Sequence, residues 1–394
     1  MKKITLILIA ACAILLLAAP PFLKNYGIYL LSYWLVFVIA TMGLNLTVGY
    51  AGQKSLGHAA FFGIGAYTVA ILMKAGFSFW LGLPAAALIC FIVGIALGFP
   101  ALRVQTIYLA FATLGFNTAV WLVMRNEEWL TGGTFGINNI ARPSLFGYSL
   151  EGNLAYYYFV LGTAVVLGAL QWGLLRSPWG KAFTALRDNP IRAESLGINT
   201  RSYTLLSFAI GAVYAGVAGA LFASLVQFIE PAPFTVGASI MMYLMVVVGG
   251  PGYFLGPLLG SAVGVILPEW LRFAQAWYLF VFGSAVVLLM IWLPDGLPDL
   301  QGRDPPRSVI PGQRLRHAPR EPRRSAQLRV GVGRQLGDQR VDLGGHQQHP
   351  RNQGAVRSRQ RRRYKSACAA ARHRCRWANT TNAGHGNWQP RRPC

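Results

Sequence analysis

Few side chains in the first 300 residues are of a type that does chemistry. His58 is the only histidine among them, and no nucleophile–base pair or metal-ligand pair stands at a recognisable spacing. In the last quarter of the chain, Cys368 and Cys375 with His373 between them lack the paired short spacing of zinc sites. We therefore predict no catalytic residue and no bound metal.

Gly180-Lys181-Ala182 is the nearest approach to a phosphate-binding loop. Such a loop needs an upstream glycine at a fixed spacing and a serine or threonine directly after the lysine, and both are missing here. We therefore predict that the chain binds no cofactor of its own and does not hydrolyse ATP.

The elements around these residues are mostly apolar. Hydrophobic residues make up 54% of the 394 and charged residues 12%, which is typical of a protein dissolved in lipid. A membrane-spanning helix needs about 20 mostly apolar residues, because lipid offers the backbone no hydrogen-bond partner. The sequence predicts an all-α polytopic membrane bundle of about ten transmembrane helices, of which the eighth and ninth are short enough to be re-entrant or broken. The predicted helices cover roughly 4–19, 28–48, 55–73, 81–99, 104–124, 154–175, 203–225, 236–249, 254–269 and 276–293.

The first apolar run follows Met1-Lys2-Lys3 and has the charge pattern of a secretory signal peptide. No good cleavage site of small residues precedes Pro20-Pro21, so we favour an uncleaved first helix. With the N-terminus in the cytoplasm and ten crossings, nine basic residues fall inside and five outside, as the positive-inside rule favours. The densest basic cluster, 176–201, then lies on the cytoplasmic side.

Ionisable groups inside the predicted helices are few. Lys54 and His58 lie near the inner edge of the third helix, and Glu230 and Glu269 lie near outer ends. A proton relay would place an acid in the middle of a helix, and none is found there. An ion-coupled secondary transporter is therefore kept only as an alternative.

The last 94 residues differ from the rest. Residues 1–300 hold 14 Lys and Arg against 9 Asp and Glu, whereas 301–394 hold 22 against 4, so most of the net charge of +23 lies in this tail. We predict a basic low-complexity segment that is disordered. Because 21 of its 22 basic residues are Arg, we interpret it as the out-of-frame product of a GC-rich gene; the alternative is a tail that binds RNA or anionic lipid. It lacks interleaved aromatic residues for stacking bases, so we expect no nucleic-acid partner.

The longest polar segment between two apolar runs covers about 176–201 and predicts two short helices with a break. Asn189 can cap the second helix, Pro190 suits its first position and Gly197 suits its end. Phe183 and Leu186 give the first helix an apolar side, and Ile191 and Leu196 do the same for the second. A capped helix pair of this kind is a shape that another protein can bind; the alternative is an amphipathic loop on the lipid surface.

Arg187-Asp188-Asn189-Pro190, followed by Ala193-Glu194-Ser195-Leu196-Gly197, resembles the cytoplasmic coupling loop of the branched-chain amino-acid ABC permeases, the LivM-like family. Residues 43–67, 131–137 and 249–260 are similar to three further glycine-rich segments of that family, so the resemblance covers about 28–300. On this resemblance, the coupling loop comprises Ala185, Leu186, Arg187, Asp188, Asn189, Pro190, Ile191, Arg192, Ala193, Glu194, Ser195, Leu196, Gly197 and Ile198.

The resemblance implies a permease domain over 1–300 in the bacterial inner membrane, working with a second permease subunit, two ATP-binding subunits that hydrolyse ATP, and a periplasmic substrate-binding protein. The cargo would be a small zwitterion such as leucine, isoleucine or valine, with urea or a short amide as the alternative. Membrane lipid would surround the helices.

Glycines divide into two groups on physical grounds. Gly57, Gly63 and Gly65 are interpreted as packing glycines that let helices approach closely. Denser clusters can break a helix, and unwound backbone at membrane depth is tolerated where it lines a cavity. The candidates for the translocation path are Gly132, Gly133, Thr134, Gly249, Gly250 and Gly252.

Overall fold

The computed structural model describes residues 20–101, 106–145 and 148–271, together with 16–18, 283, 284 and 287. Within these ranges the fold is helical apart from one small antiparallel hairpin, in which β1 (Ser144–Leu145) pairs with β2 (Tyr148–Ser149). The tail predicted over 301–394 lies outside the described residues.

The helices follow the predicted apolar runs. They are α1 (Asn25–Leu44), α2 (His58–Lys74), α3 (Phe79–Ala101), α4 (Thr106–Asn126), α5 (Glu128–Thr131), α6 (Asn153–Arg176), α7 (Pro178–Asp188), α8 (Pro190–Ser195), α9 (Thr200–Val226), α10 (Val236–Gly249) and α11 (Gly256–Trp270). Short 3-10 turns cover Pro20–Phe22, Gly133–Phe135 and Ala232–Phe234, and a π-helical turn, Asn45–Tyr50, extends α1.

Four of these helices are long and apolar enough to cross a membrane, judged by length and composition: Asn25–Tyr50, Phe79–Phe99, Asn153–Arg176 and Thr200–Val226. Each coincides with a predicted span. The predicted spans at 55–73, 104–124, 236–249 and 254–269 also fall on helices, whereas all but a few residues of the first and tenth lie outside the described ranges. The all-α membrane fold is thus confirmed, and the count of ten crossings stays a prediction.

The helices α10 and α11 are the short pair that the sequence indicated. They have 14 and 15 residues, which correspond to lengths of about 21 and 22 Å, less than the roughly 30 Å of a hydrocarbon core. The two helices pack against each other and against α1. We refer to them, with the turn that joins them, as the α10–α11 hairpin.

Helix α9 lies at the centre and packs against α1, α2 and α3. Small residues let the backbones of these helices come into contact. A Cβ atom at Gly43 would lie 2.6 Å from the carbonyl oxygen of Gly211, and one at Gly65 would overlap the backbone of Gly216. Gly57 is similarly close, since a Cβ atom there would lie 2.7 Å from the carbonyl oxygen of Thr113. The interpretation of Gly57 and Gly65 as packing glycines is confirmed.

The contact between α2 and α9 yields a test of this packing. We expect Gly65→Val to lower the free energy of unfolding by about 2 kcal/mol, because the added side chain must push two backbones apart. Thermal unfolding of the detergent-solubilised protein measures the change. Gly162→Val on α6 is the control: a Cβ atom there meets nothing within 4 Å, so its effect should stay within about 0.5 kcal/mol. Equal effects of the two substitutions would contradict the packing argument.

Candidate functional site

The polar segment between α6 and α9 forms the two capped helices that the sequence predicts. The Ser177 hydroxyl accepts a hydrogen bond from the backbone N–H of Trp179 at 3.2 Å, at the start of α7. The side chain of Asn189 accepts from the backbone N–H of Arg192 at 3.0 Å, at the start of α8. Each helix has a proline in its first turn. Caps and prolines therefore fix both helix starts without help from a partner.

The inner side of this segment packs against the transmembrane helices. Phe183 is fully buried and contacts Leu46 and Ala51, which lie in and just after the π-turn of α1. Its ring also meets that of Tyr203 edge-on, with centroids 6.0 Å apart. Leu186 is buried as well. The apolar side predicted for the first helix therefore anchors the segment to the bundle.

The second helix turns its apolar residues outward. Ile191 is 79% exposed and Leu196 is 78% exposed, while Ala193 faces the bundle with 1% exposed. The small side chain of Ala193 lets the six-residue helix lie close to the bundle, and this leaves its two larger aliphatic residues in the open. Such a pair, flanked by polar residues, is available to a partner.

Arg187 connects the segment to the end of α1. Its Nη1 atom donates a hydrogen bond to the carbonyl oxygen of Gly49 at 2.7 Å. Carbonyls in the last turn of a helix lack partners within the helix, so a cation at this position meets both an open acceptor and the negative end of the helix dipole. A Cβ atom at Gly52 would lie 3.1 Å from the Cα atom of Arg187, which shows how closely the two chains approach.

Asn45 connects the end of α1 to the turn of the α10–α11 hairpin. Its Oδ1 atom accepts from the backbone N–H of Gly252 at 2.9 Å, and its Nδ2 atom donates to the carbonyl oxygen of Tyr253 at 2.9 Å. Asn45 has no exposed surface. Gly252 has a φ of +86°, and a Cβ atom there would collide with the Arg187 guanidinium. We call these five residues the Arg187 junction: Asn45, Gly49, Arg187, Gly252 and Tyr253.

The structure separates the two glycine clusters that were predicted together. Gly249 and Gly250 end α10 beside the Arg187 junction, at the end of the bundle where Thr47 bonds to Ser207 in the first third of α9. Gly132 and Gly133 lie in the turn after α5. That turn leads to Ile137, which pairs with Ile229 beyond the far end of α9. Helix α9 has 27 residues and is therefore about 40 Å long. The clusters lie at opposite ends of the bundle, and Thr134 is exposed at the end away from the junction.

A buried polar cluster surrounds the start of α2. The Ser239 hydroxyl on α10 accepts from the backbone N–H of Ala59 at 2.9 Å and donates to Oδ1 of Asn117 on α4 at 3.2 Å. Nε2 of His58 lies 2.8 Å from the carbonyl oxygen of Ala40. The bond from Ala59 supplies a partner to one of the backbone N–H groups that the first turn of a helix leaves open. His58 is thus a packed residue of the core.

Sequence reasoning missed Asn45, Asn117 and Ser239. The signal available was a single asparagine inside a long apolar run, as at Asn45 and Asn117, because such a side chain must find a partner in lipid. No comparable signal marked Ser239, since serine is common in membrane helices.

An apolar cavity of about 470 Å³, open to the outside of the bundle, lies between α2, α3, α4 and α5. Its walls include Ile64, Ile71, Val93, Phe116 and Val120, and it reaches Thr131 directly before the Gly132 turn. This chemistry suits an aliphatic group. Among the described residues, no group of three or more His, Cys, Asp or Glu side chains could hold a metal ion.

Comparisons with known proteins agree with the fold. A family model described as "Branched-chain amino acid transport system / permease component" matches residues 27–291. The chain is similar to the high-affinity branched-chain amino acid transport system permease protein LivM of Escherichia coli (strain K12), with 36% identity over 72% of this chain and 73% of that protein. LivM of Salmonella typhimurium (strain LT2) is 35% identical with the same coverage. The autoinducer 2 import system permease protein LsrC of Escherichia coli O9:H4 (strain HS) is 26% identical over 76% of this chain and 84% of that protein. No solved structure matches the chain.

The Asn45 contacts yield a stability test. We expect Asn45→Ala to lower the free energy of unfolding by about 2 kcal/mol, because it removes the side-chain partner of two backbone groups in the hairpin turn. Thermal unfolding in detergent measures the change. Asn126→Ala, at an exposed position at the end of α4, is the matched control and should alter stability by no more than about 0.5 kcal/mol. An Asn45→Ala protein as stable as this control would show that the two bonds contribute nothing.

Proposed function

The chain belongs to the branched-chain amino acid transport permease family, and we propose that it is the LivM-like permease subunit of an importer that carries leucine, isoleucine and valine across the bacterial inner membrane. As a family member it is a multi-pass transport subunit and not an enzyme. The observation that carries the proposal is the similarity to two LivM proteins over most of the chain. The match to the family ends at residue 291, which supports 1–300 as the permease domain.

Energy would come from partner subunits in this proposal. The importer would contain a second permease subunit, two ATP-binding subunits and a periplasmic substrate-binding protein. The segment 185–198 would lie on the cytoplasmic side and bind an ATP-binding subunit. Its support is the contrast between a buried side that holds it to the bundle and an exposed aliphatic pair, Ile191 and Leu196, that faces away.

The route of the cargo is proposed from the same geometry. Gly132, Gly133 and Thr134 would face the entrance at the outer end, and the apolar cavity beside Thr131 would admit an aliphatic side chain. Gly249, Gly250 and Gly252 are the candidates at the cytoplasmic end. The apolar walls of the cavity favour a branched aliphatic cargo over the second candidate, urea or a short amide.

Uptake tests the cargo and the energy source together. We expect labelled leucine to accumulate in membrane vesicles that hold this chain with its neighbouring ATP-binding, permease and binding-protein subunits, and only when ATP is present inside. Labelled urea is the parallel substrate. Uptake of urea alone would replace the proposed cargo, and leucine uptake driven by an ion gradient without ATP would place the protein among secondary transporters.

The exposed aliphatic pair tests the coupling segment. We expect Ile191→Ala combined with Leu196→Ala to weaken retention of the ATP-binding subunits at least about tenfold, because each side chain loses apolar contact that it would bury in the complex. Copurification from detergent at graded ATP-binding subunit concentrations measures the affinity. Lys181→Ala, at an exposed position of α7 outside 185–198, is the control and should retain the partner. Unchanged retention in the double variant would place the docking surface elsewhere.

A further inference from the structure

Arg187 is the point at which the coupling segment makes a charged hydrogen bond to the transmembrane helices. The rest of its inner side is apolar, with Leu186 and Ala193 buried, and Phe183 just before the segment packs against Leu46 and Ala51. Apolar contacts can slide, whereas the bond from Arg187 to the carbonyl oxygen of Gly49 fixes one atom against another at 2.7 Å. Displacement of the segment beyond the reach of this side chain therefore breaks the bond or moves the end of α1.

The end of α1 is in turn fixed to the α10–α11 hairpin. Asn45 lies one turn before Gly49 and makes two hydrogen bonds to the adjoining residues Gly252 and Tyr253. The Arg187 guanidinium also lies directly against Gly252, where no side chain would fit. Movement of Arg187 is thus transmitted to the hairpin turn by two routes. One runs through Gly49 and Asn45, and the other is the direct contact with Gly252.

The far end of α10 carries a second fixed contact. Ser239, near its start, bonds to the backbone N–H of Ala59 and to the side chain of Asn117. The stretch from Ser239 to Gly249 is continuous helix, about 15 Å long. Movement of the hairpin therefore strains the hydrogen bonds of Ser239 at the start of α2, in the bundle interior.

We propose that Arg187 is a positioning residue that transmits displacement of the coupling segment to the α10–α11 hairpin, and that Ser239 delivers this displacement to the start of α2. The inference rests on the proposed function. Arginine suits the role because one guanidinium nitrogen, Nη1, both donates to the carbonyl oxygen of Gly49 and lies against Gly252. Lysine could keep the charge and one bond but would fill less of that space.

The test uses the assembled importer in proteoliposomes, with leucine imported per ATP hydrolysed as the readout. We expect Arg187→Gln to lower this ratio about tenfold or more, since a charge-assisted hydrogen bond is lost, while the ATP-binding subunits remain attached. Arg187→Lys should recover part of the ratio. Ser239→Ala should also lower the ratio, because it removes the contact between the start of α10 and the start of α2. Arg201→Gln, at an exposed position at the start of α9, is the control and should match the unaltered protein.

Two results would overturn the inference. The first is a ratio within twofold of the unaltered protein for Arg187→Gln. The second is loss of the ATP-binding subunits from that variant, which would make Arg187 a docking residue. Failure of the unaltered importer to take up leucine would instead contradict the proposed function, so the two failures can be told apart. Equal thermal midpoints for the variant and unaltered complexes show that a lower ratio is not a loss of fold.

Discussion

Inside a bilayer no water is available to backbone N–H and C=O groups, so every interrupted helix needs partners from elsewhere in the protein. Side chains from distant parts of the chain bond to backbone groups here, both at breaks and within continuous helices. Gln171 on α6 donates to the carbonyl oxygen of Met42, and Thr47 donates to that of Ser207. Arg187 and Asn45 do the same for Gly49 and for the hairpin turn. The bonds of Arg187 and Asn45 join the break at the end of α1 to the coupling segment and to the turn between α10 and α11.

Close helix packing complements these bonds. Glycines at the crossings of α9 with α1 and α2 bring backbones into contact, so the central helices cannot be separated without losing a large contact area. The α10–α11 hairpin is different, since its helices are too short to span the hydrocarbon core and polar side chains hold it at the turn and near the start of α10. These polar contacts add to the apolar packing of α10 and α11 against α1, in which Met242, Met245 and Val265 belong to the main core.

Much of this fold follows from local signals in the sequence. Apolar runs predicted eight of the described helices, and Asn189, Pro190 and Gly197 marked the ends of α8 because caps act over three or four residues. Contacts such as Asn45 with Gly252 span more than 200 residues and leave no local trace. The outward position of Ile191 was also hidden, because it depends on how Ala193 packs against the bundle. Glycine clusters indicated where helices are interrupted, but not at which end of the bundle each interruption lies.

The outward-facing Ile191 and Leu196 have a consequence for biogenesis. In the chain without a partner these two aliphatic side chains are exposed beside a well-capped helix. Exposed apolar surface that no partner covers favours aggregation. Copies of the chain made in excess of a partner that covers this surface would then aggregate more readily than assembled ones.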